Sequence, residues 1–191
     1  MMIKLIVGLG NPGKDYQLHR HNVGFWFCDA LANLFTGSFK KDSKFFGETT
    51  QVNIAGTNVR LLKPGTYMNR SGQSIQSIAK FYQINVNEIL VVHDELDINP
   101  GIAKIKNSGG HGGHNGLRDT IKALDSKDFY RLRIGIGHPG DKSQVSDFVL
   151  HAPNKTEFEQ IQSALISSLQ VIEDIVKGDI DKAMRSLHAQ G

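Results

Sequence analysis

The sequence predicts a single-domain α/β fold, a mixed β-sheet sandwiched by α-helices, and three observations carry that reading. Short β-branched runs alternate with segments whose apolar residues recur at helical spacing. One pair of strand-like runs is joined by a glycine-containing turn, which adds a hairpin and makes the sheet mixed. A length of 191 residues, 39% of them apolar, fits one domain (1–191) with a substantial core. No repeat, low-complexity segment or linker interrupts the chain.

Ile3 to Val7 is β-branched and bounded by glycine, so it reads as a buried strand that breaks into the turn Gly8-Leu9-Gly10-Asn11-Pro12-Gly13. Val23, Phe27, Ala30, Leu31 and Leu34 then mark a helix, with Gly37 as its stop. Phe46 to Ile54 and Val59 to Leu62 flank Gly56-Thr57-Asn58, a hairpin turn. Lys63 to Gly72 reads as a loop, followed by a helical face of Ile75, Ile78, Ala79 and Tyr82. Ile89 to Val92 is the most hydrophobic strand candidate and ends in His93-Asp94-Glu95. A short basic strand, Ile102 to Lys106, leads into the glycine-rich loop Ser108 to Gly116 and a helix from Leu117 to Leu124. Arg131 to Gly137 reads as a further strand, and His138 to Pro153 as a loop suited to a lid. Phe158, Ile161, Leu165, Leu169, Ile172 and Val176 predict one long amphipathic C-terminal helix, with a shorter one after Asp179.

Composition narrows the function classes. No apolar run approaches the roughly 20 residues of a membrane span, and glycine and proline interrupt the opening at once, unlike a signal peptide. Cys28 is the only cysteine, so no internal disulfide can form and a reducing cytoplasm is the expected setting. It falls in an apolar helical pattern, as a buried inert thiol does. The net charge of +3 is unremarkable, but Lys104 to Lys142 holds eight basic and four acidic residues, an excess larger than the whole chain's. Such a stretch suits a polyanionic partner as well as an ordinary solvated face.

Two motifs point in directions that their context does not support. Gly8-Leu9-Gly10-Asn11-Pro12-Gly13 satisfies the dinucleotide-binding spacing, but Pro12-Gly13 favours a turn over a helix start. Asp29, at the distance where an acid should end a second strand, lies within the first helix instead. His111 and His114 invite a metal reading, yet a glycine-rich loop without cysteine or a close carboxylate is a poor match for zinc.

Asn11, Asn69, Asp94 and Asn115 follow predicted strands. If those strands run parallel, their carboxyl ends share one sheet edge where the four side chains converge, with His21 at the helix entrance beside them. A histidine oriented by a carboxylate is a general-base arrangement, since imidazole titrates near pH 6.5. Asparagine amides are neutral donors that support an oxyanion without competing for protons. A G-x-S-x-G nucleophile elbow is absent, which leaves water activated by histidine as the simplest chemistry. Asp94 could bond either His21 or His114.

Taken in order, the turn at Gly8 to Gly13 with Tyr16 and His21-Asn22-Val23-Gly24, the loop Lys63-Pro64-Gly65-Thr66-Tyr67-Met68-Asn69-Arg70-Ser71-Gly72, His93-Asp94-Glu95-Leu96-Asp97, Gly109 to Leu117, and Arg131 to Pro139 resemble bacterial peptidyl-tRNA hydrolase. The resemblance covers about Ile3 to Leu150. It implies cleavage of the ester joining a peptide's C-terminal carbonyl to the 3′-terminal ribose of tRNA, which recycles tRNA for translation. His21 would be the general base on water, Asp94 its orienting partner, and Asn11 a discriminator of N-blocked from free aminoacyl groups. Asn69 and Asn115 would hold substrate and water; Tyr16, Tyr67 and His114 would border the place of the tRNA end. No metal or organic cofactor is implied. Lys104, Lys106, Arg133 and Lys142 become candidates for phosphate contacts, which position a substrate without reading its sequence. The expected enzyme is a cytoplasmic monomer that meets the acceptor end and phosphate backbone of peptidyl-tRNA and no membrane. The rivals are a noncatalytic RNA-binding module, a related enzyme acting on another RNA or ester, and a nucleotide-dependent oxidoreductase. The intact pair of His21 and Asp94, with all three asparagines, stands against the first.

Overall fold

The computed structural model describes residues 1–189. In chain order its strands are β1 (Leu5–Gly8), β2 (Lys40–Asp42), β3 (Gly47–Ile54), β4 (Thr57–Pro64), β5 (Ile89–Glu95), β6 (Ala103–Asn107) and β7 (Tyr130–Gly135). The helices are α1 (Val23–Leu34), α2 (Ser71–Phe81), α3 (Asn115–Leu124), α4 (Val145–Val149), α5 (Lys155–Gln170), α6 (Ile172–Lys177) and α7 (Ile180–His188). The strands form one sheet in the order β2-β3-β4-β1-β5-β7-β6. Its centre, β4-β1-β5-β7, is parallel, whereas β2, β3 and β6 join antiparallel. This is the mixed α/β sandwich that the sequence predicts.

Side-chain alternation along the strands divides the core in two. Leu5 and Val7 of β1, with Ile89 and Val91 of β5, face Ile75 and Ile78 of α2 and Leu117 of α3. Ile6, Leu90 and Val92 face α1 and the C-terminal helices through Phe27, Ile161, Leu165, Ile175 and Leu187. Both faces of the central strands are therefore covered, which explains why those strands read as continuous apolar runs. The start of α1 rests backbone against backbone on β1: a Cβ on Gly24 would lie 2.5 Å from Leu9 N and Val92 O. Only glycine permits that approach, and it places the turn before α1 directly at the ends of β1 and β5.

Several boundaries differ from the sequence reading for local reasons. The hairpin turns on two residues, Ala55 (φ 52°) and Gly56 (φ 81°), with Ile54 opposite Thr57. Two left-handed central residues match the right-handed strand twist better than the expected Gly56–Asn58 turn. Past α1 the left-handed position is Thr36 (φ 62°), while Gly37 makes room for Val52, whose Cγ1 would lie 2.6 Å from an added Cβ. The single C-terminal helix is instead α5 followed by α6, broken at Val171 (φ −105°, ψ 4°). Ser168 Oγ donates to Ala164 O in the last turn of α5, a side-chain bond that bends helices, and the apolar period continues across the break. The short edge strand β2 and the helix α4, inside the expected lid loop, were not foreseen.

Candidate active site

Asn11 stands just beyond β1, where Leu9 N donates to Val92 O at 3.0 Å. Its backbone is held by a neighbour on the turn before α1: Asn22 Oδ1 accepts from Asn11 N at 2.8 Å, and Asn22 Nδ2 donates to Asn11 O at 2.9 Å. The side-chain oxygen of Asn11 accepts from Met68 N at 2.7 Å. Those bonds commit every other polar atom of this buried residue and leave the amide Nδ2 as its uncommitted donor.

Asp94 lies inside β5 rather than in a loop after it, three per cent exposed, and bonds two imidazoles at once. Oδ2 meets His21 Nδ1 at 2.8 Å and Oδ1 meets His114 Nε2 at 2.8 Å. The choice between His21 and His114, open in the sequence, resolves to both. His114 caps α3: its Nδ1 accepts from Gly116 N at 3.1 Å and Leu117 N at 3.2 Å. That nitrogen must carry a lone pair, so Nε2 carries the proton and donates to Asp94. By the same logic His21 donates from Nδ1, leaving Nε2 to accept. Burial opposes charge on His21, but the adjacent Asp94 carboxylate outweighs it and raises the imidazole pKa above 6.5. Burial likewise opposes charge on Asp94, and the two histidines reverse it, holding the carboxyl well below its ordinary range.

Asn115 reaches this place by a route that the parallel-strand argument did not contain. β6 is antiparallel to β7, so the chain leaves β6 at the opposite end of the sheet. The glycine-rich segment returns it, and the buried guanidinium of Arg131 on β7 pins that segment by donating to the carbonyls of Gly109 and Gly110. Asn115 is thus the first residue of α3, and Asn69 sits in the short turn Met68–Arg70 before α2.

Asn11, His21, Tyr67, Asn69, Asp94, His114, Asn115 and Lys142 all line one cavity of about 610 Å³. Tyr16 stands beside it, edge-on to Tyr67 at 6.1 Å between ring centres. Val145, Val149 and Leu150 form an apolar wall on and after α4. Arg20, next to His21, ties that wall down: Nη1 donates to Phe148 O at 3.0 Å and His151 O at 3.3 Å, and Nη2 meets Glu157 at 3.3 Å. The remaining basic candidates lie apart from the cavity. Lys104 and Lys106 are exposed on β6, directly opposite Arg133 and Arg131, and Arg133 is paired with Glu95 at 2.9 Å. Lys106 and Arg133 line a small neighbouring cavity of about 270 Å³ that His93 also reaches.

Among the described residues, His21, Asp94 and His114 form the one cluster whose donor atoms lie close enough to hold a metal ion, within 4.8 Å of one another. Each histidine nitrogen already bonds one oxygen of Asp94, at 2.8 Å. His114 presents a proton rather than a lone pair there, so the set fits a hydrogen-bonded triad better than a metal centre. Cys28 is fully buried, and burial raises its thiol pKa far above the ordinary range, as expected of an inert thiol. Sequence reasoning missed Asn22, Arg20 and Arg131; the first two flank His21, and their role as supports depends on contacts distant in the chain.

The family model described as peptidyl-tRNA hydrolase matches residues 5–191. A peptidyl-tRNA hydrolase of Ruthia magnifica subsp. Calyptogena magnifica is 70% identical over 190 residues, covering 100% of each chain. One from Pectobacterium atrosepticum is 55% identical over 188 residues, 98% of this chain and 96% of the relative. The crystal structure of peptidyl-tRNA hydrolase from Acinetobacter baumannii superposes with a TM-score of 0.95 at 50% identity, covering 98% of this chain and 95% of that one. By sequence and by fold, the chain belongs to the peptidyl-tRNA hydrolase family.

Proposed function

We propose that this hydrolase of the peptidyl-tRNA ester bond works by histidine-activated water, with His21 as general base and Asp94 as its orienting partner. The observation that carries the reading is the double bond of Asp94 to His21 and His114. It fixes the His21 tautomer with Nδ1 protonated and Nε2 available to take a proton from water. The hydroxide so formed adds to the ester carbonyl carbon. The oxyanion that develops is stabilised by amide donors, a role that falls to Asn11 Nδ2 and the amides of Asn69 and Asn115, all residues of the cavity lining. Collapse breaks the bond to the ribose 3′ oxygen, which takes the proton back from the His21 imidazolium. The products are a peptide carboxylic acid, ionised at neutral pH, and tRNA with a free hydroxyl.

His114 acts through Asp94 in this scheme: its proton holds the second carboxylate oxygen, and α3 holds His114. Asn11 would distinguish an N-blocked peptide, whose amide is neutral, from a charged free amine at the same position. Tyr16 and Tyr67 offer ring faces to the terminal adenosine, and Lys142 lies at the cavity rim. Lys104 and Lys106 face Arg133 and Arg131 across β6 and β7, an arrangement of like charges that costs stability in a sheet and suits a phosphate backbone. No cofactor enters the scheme. Release of the acyl group from N-acetylaminoacyl-tRNA, beside its unblocked counterpart, tests the reading. Wild type should cleave only the blocked substrate, and His21→Ala should lose about 10²–10⁴-fold in rate. Binding without cleavage by wild type would favour an RNA-binding module instead.

A further inference from the structure

Three consecutive residues in the short turn before α1, Arg20–Asn22, each hold a different part of the site. Asn22 fixes the backbone of Asn11, and His21 bonds Asp94. Arg20 reaches the other way, to α4, and the mechanism above gives it no task. It is 8% exposed, its guanidinium stacks 3.8 Å from the centre of the Phe148 ring, and its Nε has no acceptor. Burying a cation with one donor unanswered costs stability. The chain bears that cost directly beside His21.

We propose that Arg20 is a positioning residue for the reaction: it holds α4 as a fixed wall of the reaction cavity and so sets how tightly the ester end of the substrate is bound. The proposal rests on that cavity as the place of cleavage. Arg20 does not line the cavity, so it acts through the residues it holds.

The wall depends on such a hold because α4 cannot stand by itself. It is five residues long, and Val149 is its one buried residue; isolated helices need about 12–15 residues even to be marginal. Arg20 supplies what the helix lacks at its C-terminal end. Nη1 donates to Phe148 O and His151 O, and the Arg20 backbone N donates to His151 O again at 3.0 Å. Nη2 bonds Glu157 Oε1, and Glu157 is itself fixed in the capping box at the start of α5. The guanidinium therefore joins three elements at once: the turn that carries His21, the end of α4 and the start of α5. Val145, Val149 and Leu150, the apolar lining on this segment, follow from where that junction puts them.

The test is the kinetics of N-acetylaminoacyl-tRNA cleavage by wild type, Arg20→Lys and Arg20→Ala. Lysine keeps the charge beside Glu157 but lacks the planar face for Phe148 and the fork that spans carbonyls and a carboxylate. Arg20→Lys should raise KM about tenfold, the effect of loosening roughly 50 Å² of apolar wall. Its kcat should stay within about threefold of wild type. The acid limb of kcat/KM should not move, because Arg20 bonds neither His21 nor Asp94. In Arg20→Ala, millimolar guanidinium chloride should lower KM relative to equal sodium chloride, which controls for the salt dependence of tRNA binding; wild type should show no such difference. A wild-type KM in folded Arg20→Lys overturns the proposal. So does a fall in kcat with a displaced acid limb, which would make Arg20 a support of the base instead of the wall. Guanidinium that leaves the Arg20→Ala KM unchanged overturns it as well, and if that variant does not fold, the lysine variant decides alone. Loss of cleavage in wild type would remove the hydrolase reading, and His21→Ala tests the base separately, so the three failures are distinguishable.

Discussion

Asn22 grips the backbone of Asn11 through two hydrogen bonds, its amide accepting from Asn11 N and donating to Asn11 O. The pairing imitates one rung of a β-ladder and sets where the Asn11 side chain points. Asn22→Asp removes the donor and places a carboxylate against a carbonyl. The expected result is a loss of about 1–3 kcal/mol in stability, with cleavage of blocked substrate slowed about 10²-fold by misplacement of Asn11. Urea melts and steady-state rates measure the two effects. Wild-type rates in a folded Asn22→Asp protein would show that Asn11 needs no such support.

His93 makes stability depend on pH. It is two per cent exposed, its Nε2 has no partner, and burial depresses its pKa to about 3. The unfolded chain binds this proton near pH 6.5 and the folded chain does not, so the contribution is full above pH 6.5 and is lost as pH falls towards 3. The urea midpoint should fall between pH 6.5 and 4, above the region where Asp94 protonates. In His93→Gln that fall should be shallower. An unchanged slope in the variant would place the acid sensitivity elsewhere.

The exposed lysines of β6 should act on binding alone. Lys104→Ala with Lys106→Ala is expected to weaken tRNA binding and to flatten the plot of log K against log salt by about 1 per lysine. The rate at saturating substrate should stay close to that of wild type. An unaltered salt slope would take both lysines out of the tRNA contact.

Much of this was legible in the sequence because local chemistry decided it. The turn at Gly8 to Gly13, the apolar strand ending in Asp94 and the helical faces of α1 and α2 each follow from glycine, periodicity and burial over a few residues. The convergence of Asn11, Asn69 and Asp94 on one sheet edge was legible too, since β1, β4 and β5 are parallel and end together. What escaped depends on contacts distant in sequence. The antiparallel β6 has no local mark, so the return of Asn115 by way of Arg131 and the glycine carbonyls could not be read. The break at Val171 keeps the apolar period and so looks helical. Arg20 reads as a surface charge beside His21 and proves to be buried, clasping α4 and the carbonyl of His151, more than a hundred residues away.

The bond between Asp94 and His21 is the centre of the account, and the pH profile of kcat/KM for wild type and Asp94→Asn tests it most directly. In wild type the base must be neutral, so activity should rise through a His21 pKa above 6.5, the direction in which Asp94 moves it. Asparagine removes the charge and, where its amide donates to Nδ1, reverses the tautomer and caps Nε2 with a proton. The account therefore predicts a rate about 10³–10⁴-fold lower, with the remaining acid limb shifted to lower pH. An Asp94→Asn enzyme of near wild-type rate, or one whose acid limb stays in place, would contradict His21 as a base governed by Asp94.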